Sequence, residues 1–422
     1  MNIVLVPDLA AMASLLAILC CLRRRHLQEG VGLWIVGLLF IFLEAIAYAL
    51  YTPFGPRRVP CHVIALDSYV AAGAIFLWAA AKASFPRRET LVYLGLNTAA
   101  LVVLETLYGL DVHTPRAYQG IAGCGLILGL ITPFLLVRNF RLGKGWWLMV
   151  VQLLLWLPVW EFGATQMFRD AAYYPLFLLY LLAAILFNMS LPRESLGRIV
   201  IVVGFLLWSL VFLVHSWVSS QPQYIQIAGA VWDWQKFLVT IGMLLVLLER
   251  QVATNAWYAL HDLLTGLPNR RCFDEKLEQA LKHAQRTGVR TAVVMIDLDG
   301  FKAVNDTRGH DTGDLLLQFI AKNMKRIIRP VDTLARLGGD EFILLMTNLP
   351  SYLKTEDIVA IARNRVAEAL SHPFLYQDES FMVSASVGVA ICPEDTTDEV
   401  LLRRLADQRM YEQKSHTRMV PA

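Results

Sequence analysis

Two short segments decide the fold of the C-terminal part of the chain, Asp297-Leu-Asp-Gly-Phe-Lys302 and Arg336-Leu-Gly-Gly-Asp-Glu-Phe342. The first closes a run rich in Val and Ile, residues 290–298, which predicts a strand. The second joins two short apolar runs, 333–337 and 342–347, and its glycines can supply the positive φ that a tight hairpin turn needs. We therefore expect a strand followed by a β-hairpin.

Three carboxylates should meet where these segments come together. Asp297 ends the predicted strand, and Asp340 and Glu341 stand in the hairpin turn. If strand and hairpin are neighbours in one sheet, the three side chains share an edge. There they can bind Mg²⁺, which takes oxygen ligands and bridges triphosphate oxygens. The alternative is an ordinary tight turn with solvated acids, since Gly-Gly-Asp-Glu turns are frequent.

The sequence around these segments alternates helices with strands. Apolar residues recur at helical spacing over about 271–286, 312–328, 358–369 and 398–414, while 381–391 is typical of a strand. The hairpin requires an antiparallel pair. We therefore expect an α/β domain of βααββαβ type with a central, mostly antiparallel sheet.

The N-terminal part of the chain is far more apolar. Of the 422 residues 56% are hydrophobic and only 17% are charged, whereas a soluble domain carries about 25% charged residues. The apolar excess lies between residue 1 and about residue 250, and a spanning helix needs about 20 apolar residues. We predict a polytopic helical membrane domain with nine spans, near 2–22, 31–52, 62–81, 91–110, 119–137, 146–165, 173–191, 199–218 and 227–248.

The charges in the loops predict the orientation of these spans. The loops richer in Arg and Lys, which belong in the cytoplasm, are 23–26, 82–88, 138–145 and 193–198. One pair, Arg57 and Arg58, falls on the outer side and disagrees. Nine spans with the N-terminus outside leave the C-terminal domain in the cytoplasm.

Five ionisable residues interrupt the apolar runs: Glu44, Asp67, Glu105, Glu161 and His215. Charged groups are costly in hydrocarbon, so such residues by default indicate a functional site or an internal polar network. The set either forms a sensory pocket or ion pathway, or pairs structurally between helices and at the interface. The sequence leaves both interpretations open.

Charge and cysteine usage exclude several classes of function. The net charge is +3 without a basic stripe, which does not favour nucleic-acid binding. The six cysteines show no CxxC spacing, so neither a zinc site nor a disulfide framework is expected.

Over about residues 258–418 the chain resembles the GGDEF-domain diguanylate cyclase family. Several motifs in the family's order and spacing make this resemblance specific. Besides the two opening segments they are Asp262-Leu-Leu-Thr-Gly-Leu-Pro-Asn-Arg-Arg271, Asn305-Asp306, Gly309-His310, Gly313-Asp314, Ser386-Val-Gly388, Ala406-Asp407, Met410-Tyr411 and Lys414. The resemblance implies a nucleotide-cyclase-like fold.

The resemblance assigns the metal and catalytic roles residue by residue. Asp297, the backbone carbonyl of Leu298 and Asp340 match the family's ligands for Mg²⁺, or Mn²⁺. Glu341 matches the acid that helps to activate the 3′-hydroxyl or binds a second metal ion. Asp340 and Glu341 are thus the expected catalytic residues.

The resemblance also implies the substrate contacts. Asn305 and Asp314 match the pair that recognises guanine, and Phe301 and Gly339 match residues that contact the substrate. A carboxylate can accept from the N1–H and the amine of guanine, while an amide both donates and accepts.

Cations complete the set that the resemblance implies. Lys302, Lys414 and Arg418 match the residues that hold phosphates, although the family's Gly-Arg-Asn around the last of them is Thr-Arg-Met here. Arg329 and Asp332 match the RxxD inhibitory site, where the product binds.

The activity that the resemblance implies is the condensation of two GTP molecules into cyclic di-GMP and pyrophosphate. One domain holds one GTP, so the expected active unit is a homodimer. The alternative is a non-catalytic receptor for GTP or cyclic di-GMP, which loss of the metal ligands or of Glu341 would favour, and neither is lost. A transporter with an appended regulatory domain is a third interpretation, resting only on the intramembrane acids.

These expectations divide the chain into three parts. They are a multi-span sensory domain over 1–249, a signalling helix or linker over 250–264, and the GGDEF domain over 265–422. We expect the protein in the lipid bilayer of a bacterial inner membrane, with the GGDEF domain in the cytoplasm.

Overall fold

The structure is a computed structural model, and it divides into two compact units, Met1–Arg250 and Gln251–Ala422. Each unit is built around its own hydrophobic clusters. The residues that the structure describes are 6–25, 31–52, 55–81, 87–136, 142–376 and 379–419. Residues 82–86 and 138–141 of the expected basic loops lie outside the described residues, as do residues 2–5 of the first expected span.

Long helices make up the described part of the first unit. In chain order they are α1 (Val6–Arg25), α2 (Val31–Leu50), α3 (Arg58–Ala81), α4 (Arg87–Gly109), α5 (Pro115–Leu136), α6 (Leu142–Ala164), α7 (Phe168–Ser190), α8 (Leu196–Ser219) and α9 (Pro222–Leu260). The apolar runs of the sequence thus form helices, because in hydrocarbon a helix satisfies its own backbone hydrogen bonds.

Within the described residues, seven helical stretches are long and apolar enough to cross a membrane. They are Val31–Leu50, Arg58–Ala81, Val92–Gly109, Trp146–Ala164, Phe168–Ser190, Leu196–Ser219 and Trp234–Leu260. The predicted count of nine is not confirmed. The first helix contributes only a shorter apolar stretch, Pro7–Cys21, and α5 is not among the seven.

Helices α8 and α9 approach closely because glycines line their contact. A Cβ atom added to Gly197 would lie 2.5 Å from the backbone nitrogen of Val246. One added to Gly242 would lie 2.7 Å from the backbone nitrogen of Ile201. Small residues let two helix backbones come close enough for van der Waals contact. In a lipid environment such contact is an important source of helix association, because the hydrophobic effect does not drive helices together there.

The second unit is an α/β domain with an antiparallel sheet, as predicted. Its strands are β1 (Arg290–Leu298), β2 (Thr333–Gly338), β3 (Glu341–Leu349), β4 (Phe374–Tyr376), β5 (Glu379–Phe381) and β6 (Ala385–Cys392). The main sheet has the order β2-β3-β1-β6 with antiparallel neighbours throughout, and β4 and β5 form a separate hairpin.

Helices cover both faces of this sheet. They are α10 (Arg270–Thr287), α11 (Phe301–Arg308), α12 (His310–Ile327), α13 (Thr355–Leu370) and α14 (Glu399–Met419). Residues of α12 and α13 share one apolar cluster with alternate residues of β1, and residues of α10 and α14 share another. A strand covered on both faces has to be apolar throughout, which explains the unbroken Val and Ile run.

Candidate active site

The ends of β1 and of the β2–β3 hairpin meet at one edge of the sheet. Asp297 is paired in register with Glu341 of β3 on one side and with Ser386 of β6 on the other. The backbone N–H of Leu298 donates to the carbonyl of Asp340 at 3.3 Å. The structure therefore brings together the three acidic residues that the sequence predicts at this edge.

The hairpin turn depends on its two glycines. Gly338 has φ of 144° and Gly339 has φ of 53°, a region that side-chain-bearing residues rarely adopt. The register of β2 against β3 shifts between Arg336 and Gly338, so a bulge precedes the turn. Gly339, which the family resemblance predicts to contact the substrate, thus presents bare backbone at the sheet edge.

Arg336 fastens this turn to the loop that begins at Asp262. Its Nη2 and Nε atoms donate to the carbonyl of Gly339 at 2.8 and 3.1 Å, and its Nη1 atom donates to Asp262 at 3.0 and 3.1 Å. Asp262 also accepts from the backbone and hydroxyl of Thr265. Although burial acts to raise it, these hydrogen bonds hold the pKa of Asp262 below its ordinary value.

Negative charge accumulates at the shared edge. Partial burial, followed by the nearby charges of Asp297 and Asp407, raises the pKa of Glu341. Asp297 is buried and forms an ion pair with Lys414 of α14. A site with this negative charge favours cations. The carboxylate of Glu341 within it accepts a proton more readily than an exposed carboxylate does.

The metal set predicted here is two carboxylates and one backbone carbonyl. Among the described residues, no three His, Cys, Asp or Glu side chains converge closely enough to hold a metal ion by themselves. The predicted set instead includes the backbone carbonyl of Leu298. Oxygen-only donors of this kind suit Mg²⁺ or Mn²⁺ rather than zinc.

The turn from β1 into α11 is fixed by Asp299. Its carboxylate accepts from the hydroxyls of Ser384 and Ser386, both at 2.8 Å. Gly300 follows with φ of 73°. The side chain of Phe301 then packs into the core and is 8% exposed, so only its backbone can face a substrate. Lys302, the next residue, is exposed.

Asn305 and Asp314, predicted to recognise guanine, lie on the adjoining helices α11 and α12. The Oδ1 atom of Asn305 is buried and has no hydrogen-bond donor in the described part of the chain. A Cβ atom on Gly313 would stand 1.9 Å from it, so only glycine leaves it room. Asp314 is exposed. A buried acceptor of this kind is costly unless a donor reaches it.

The last of the predicted site residues are Arg418 and the two members of the RxxD motif. Arg418 belongs to α14, but its side chain lies outside the described residues. Arg329 is exposed where α12 gives way to β2. Asp332 is 8% exposed and accepts from Arg365 at 3.1 Å and from the backbone of Thr347 at 3.2 Å. Sequence reasoning missed both Arg365 and the Arg336–Asp262 pair, because each joins residues far apart in the chain.

Comparisons with known proteins agree with this geometry. The family model described as "Diguanylate cyclase, GGDEF domain" matches residues 259–420. The "Bifunctional diguanylate cyclase/cyclic di-GMP phosphodiesterase MucR" of Pseudomonas aeruginosa is 43% identical over 162 residues, which is 38% of this chain and 23% of the relative. The "Diguanylate cyclase TpbB" of Pseudomonas aeruginosa is 37% identical over 171 residues, which is 40% of this chain and 39% of the relative.

A solved structure covers the same segment. The structure of a TpbB variant from Pseudomonas aeruginosa "comprising only the GGDEF domain" is 36% identical, covers 37% of this chain and 89% of that chain, and has a TM-score of 0.34. The matched segment spans well under half the length of the curated relatives, 23% and 39%. Residues 259–420 are therefore a GGDEF domain, and diguanylate cyclases are among its homologues.

Proposed function

We propose that this chain is a membrane-bound diguanylate cyclase, which condenses two GTP molecules into cyclic di-GMP and pyrophosphate. The observation that carries the proposal is the pairing of Asp297 with Glu341, beside the backbone bond from Leu298 to Asp340. This pairing gathers the carboxylates of two distant segments at one edge. The seven long apolar helical stretches found among the described residues support a location in the membrane.

Asp297, Asp340 and the carbonyl of Leu298 would hold the metal ion. When bound, Mg²⁺ or Mn²⁺ neutralises the triphosphate and polarises the α-phosphoryl group. The bare backbone of Gly339 lets the nucleotide approach the turn, as does the backbone of Phe301 at the start of α11. Lys302, Lys414 and Arg418 supply positive charge to the phosphates.

Guanine recognition falls to Asn305 and Asp314. The buried Oδ1 atom of Asn305 accepts from the base, which removes the cost of leaving this atom unpaired. The exposed carboxylate of Asp314 accepts from the N1–H and the exocyclic amine. Adenine presents a different pattern of donors, so the pair selects GTP over ATP.

Glu341 helps to activate the attacking 3′-hydroxyl. Its raised pKa brings the carboxylate closer to the pH at which the protein works, and proton acceptors are most effective there. The oxygen freed of its proton attacks the α-phosphorus in line, and pyrophosphate leaves. Because one domain binds one GTP, two copies of the chain must face each other, each providing half of the reacting pair.

The exposed guanidinium of Arg329 is suited to a second, inhibitory site for the product. A guanidinium can make paired hydrogen bonds to guanine or phosphate. Arg365 orients Asp332 at 3.1 Å next to it. We therefore assign Arg329 and Asp332 to product inhibition.

The test uses the full chain in lipid nanodiscs with GTP and Mg²⁺, and chromatography to detect cyclic di-GMP. We expect product from the wild-type chain and at least about a hundredfold less from Glu341→Gln. Glu368→Gln, an exposed carboxylate on α13, is the matched control and should retain activity. A wild-type chain that binds GTP and forms no product would refute the cyclase and favour a receptor.

A further inference from the structure

Lys414 of α14 reaches a carboxylate of the candidate metal site. Its ammonium donates to the Oδ1 atom of Asp297, and the two side chains are 21% and 11% exposed. Asp297 is at the same time a predicted ligand of the metal ion, and it is paired in register with Glu341. In the proposed function, one buried carboxylate is thus shared by a cation of the protein itself and by a divalent metal ion.

The position of Lys414 follows from the close contact between α14 and β6. A Cβ atom added to Gly388 of β6 would lie 2.3 Å from the backbone nitrogen of Met410, so only glycine lets the helix lie this near the strand. One residue before Lys414, the side chain of Gln413 accepts from the backbone N–H of Val387 at 3.3 Å. These contacts hold the last turns of α14 against the strand that flanks β1, with the ammonium at the sheet edge.

An ammonium on Asp297 opposes the binding of a metal ion at the same group. Two positive charges a few ångströms apart repel each other more strongly where water is partly excluded than they do in bulk water. The hydrogen bond to Oδ1 also occupies one of the two oxygens that the carboxylate offers to a ligand. Lys414 should therefore weaken the affinity of this site for a metal ion that arrives alone.

A triphosphate changes this balance. Its oxygens accept from an ammonium as a carboxylate does, and they bind a divalent ion at the same time. Lys414, which the family resemblance assigns to the phosphates, carries its charge on a flexible four-carbon stem. The ammonium can therefore leave Asp297 for the phosphates when metal and nucleotide bind together.

We propose that Lys414 is a counter-ion that makes metal binding at this site depend on the nucleotide. Paired with Asp297, it weakens the binding of Mg²⁺ or Mn²⁺ alone. Transferred to the triphosphate, it strengthens the binding of metal and nucleotide together. This role deepens the proposed function, on which it rests for the identity of the metal site.

Binding of Mn²⁺ without nucleotide tests this role separately from turnover. The full chain is placed in nanodiscs of zwitterionic lipid, and electron paramagnetic resonance measures the free Mn²⁺. We expect Lys414→Met to bind Mn²⁺ at least about tenfold more tightly than the wild type does, because Asp297 loses the positive charge beside it. Lys414→Arg keeps that charge and should bind Mn²⁺ like the wild type.

A second titration measures the nucleotide at saturating Mn²⁺. It uses guanosine 5′-[α,β-methylene]triphosphate, in which the bond that releases pyrophosphate is replaced. Lys414→Met should bind this analogue at least about tenfold more weakly than the wild type does, because a charged contact to the phosphates is lost. The same substitution thus tightens one ligand and weakens the other, which a merely structural role of Lys414 would not produce.

Lys302→Met is the matched control. It removes an exposed cation that the family resemblance also assigns to the phosphates, and Lys302 forms no ion pair with Asp297 among the described residues. The variant should weaken binding of the analogue and leave the affinity for Mn²⁺ alone unchanged.

Two results would overturn the proposal. They are unchanged or weaker binding of Mn²⁺ alone by Lys414→Met, and equal tightening in Lys302→Met, which would indicate a general effect of charge. If Lys414→Met does not fold, Lys414→Gln takes its place, because an amide still donates to Asp297 but carries no charge.

The measurements also separate this inference from the proposed function. A chain that shows both effects of Lys414→Met but forms no cyclic di-GMP would refute the cyclase and leave the counter-ion role standing. A wild-type chain that binds no Mn²⁺ even with the analogue would refute the metal site, and the counter-ion role with it.

Discussion

Arg336 and Asp262 stand 74 residues apart in the chain, yet the guanidinium of one binds both oxygens of the other at 3.0 and 3.1 Å. The same guanidinium holds the carbonyl of Gly339. The loop that opens the GGDEF domain and the turn that carries Asp340 are therefore fixed by one side chain. A substitution of Asp262 should therefore disturb the turn that carries Asp340 indirectly, through Arg336.

The first prediction concerns Asp262→Asn. The variant keeps the shape of the side chain but removes the charge that Arg336 pairs with, so we expect the domain to lose roughly 1–2 kcal/mol of stability. Cyclase activity should fall as well, because the turn at Gly339 loses its support. Thermal unfolding of the full chain measures the first effect, and hydrogen exchange of the hairpin peptides locates it.

The matched control is Lys282→Gln, which removes an exposed ion pair with Glu278 on α10. Exposed pairs contribute little, so the unfolding temperature should stay close to that of the wild type. The pair with Arg336 also has a pH signature. Since the folded-state pKa of Asp262 is lowered, its stabilisation is present above about pH 4 and is lost as the pH falls through the folded value. Equal acid sensitivity of wild type and Asp262→Asn would contradict this.

The second prediction concerns Glu341, whose pKa is raised. The proton-accepting form is lost as the pH falls through this raised pKa. The pKa that the acid limb of the kcat/KM profile reports should therefore be higher than the ordinary pKa of a glutamate. At neutral pH, Glu341→Gln should lose activity but should not lose stability. A carboxylate whose charge is disfavoured in the folded state costs stability when ionised, so Glu341→Gln should unfold at the same or a higher temperature.

Two measurements on one variant check this. Steady-state rates across pH give the acid limb, and thermal unfolding in metal-free buffer gives stability. A marked loss of stability in Glu341→Gln would show that the residue serves the fold rather than the reaction.

The third prediction uses Gly313. Alanine normally stabilises a helix by about 1 kcal/mol relative to glycine, but here its Cβ would meet the Oδ1 atom of Asn305 at 1.9 Å. The amide must then turn away from the position where it would accept from guanine. We expect Gly313→Ala to weaken GTP binding at least about tenfold, because Asn305 then no longer accepts a hydrogen bond from guanine.

Calorimetric titration with GTP measures the effect, and Asn305→Ala should reproduce it. Asn364→Ala, which removes an exposed amide on α13, is the control. Unchanged GTP affinity in both Gly313→Ala and Asn305→Ala would remove Asn305 from the substrate site.

The fourth prediction separates the two members of the inhibitory motif. Arg329 is exposed, so Arg329→Ala should raise the concentration of cyclic di-GMP that halves activity while leaving the fold intact. Asp332 is buried and paired with Arg365, so Asp332→Ala should also destabilise the domain, by about 1–3 kcal/mol. Inhibition curves and thermal unfolding measure the two effects. Arg326→Ala, an exposed cation on the preceding turn, is the control, and unchanged inhibition of Arg329→Ala would refute the assignment.

Much of the second unit could be predicted from local patterns. The unbroken apolar run of β1 requires cover on both faces, and Gly338 and Gly339 mark the turn whose φ values are 144° and 53°. The short hairpin of β4 and β5 was missed, because strands of three residues leave no periodicity. Motif membership predicts that Phe301 contacts the substrate, but not that its side chain packs in the core, which leaves its backbone for that contact.

The first unit shows what local sequence patterns cannot predict. Glu44 and Glu105 are each the single acid of an apolar stretch, Val31–Leu50 and Val92–Gly109, so the sequence does not distinguish them. Packing alone separates them, since Glu44 meets Lys236 from a helix 192 residues later while Glu105 meets no hydrogen-bond donor within the described residues. Pairing at such separation is a property of the fold, and a single sequence does not encode it in any local pattern.

The fifth prediction follows from that ion pair. The side chains of Glu44 and Lys236 are 1% and 6% exposed and 2.8 Å apart. Removing one partner leaves a buried charge uncompensated, so Glu44→Gln or Lys236→Met should each cost about 3–5 kcal/mol. Replacing both, as Glu44→Gln with Lys236→Met, removes the uncompensated charge and should cost less than the sum of the single changes.

Thermal unfolding of the full chain in nanodiscs measures all three variants. Arg58→Gln, which breaks the half-exposed pair with Asp111, is the control and should shift stability by no more than about 1 kcal/mol. Strict additivity of the two single substitutions would mean that Glu44 and Lys236 do not stabilise each other. In that case their burial would need another cause, such as a functional proton or ligand.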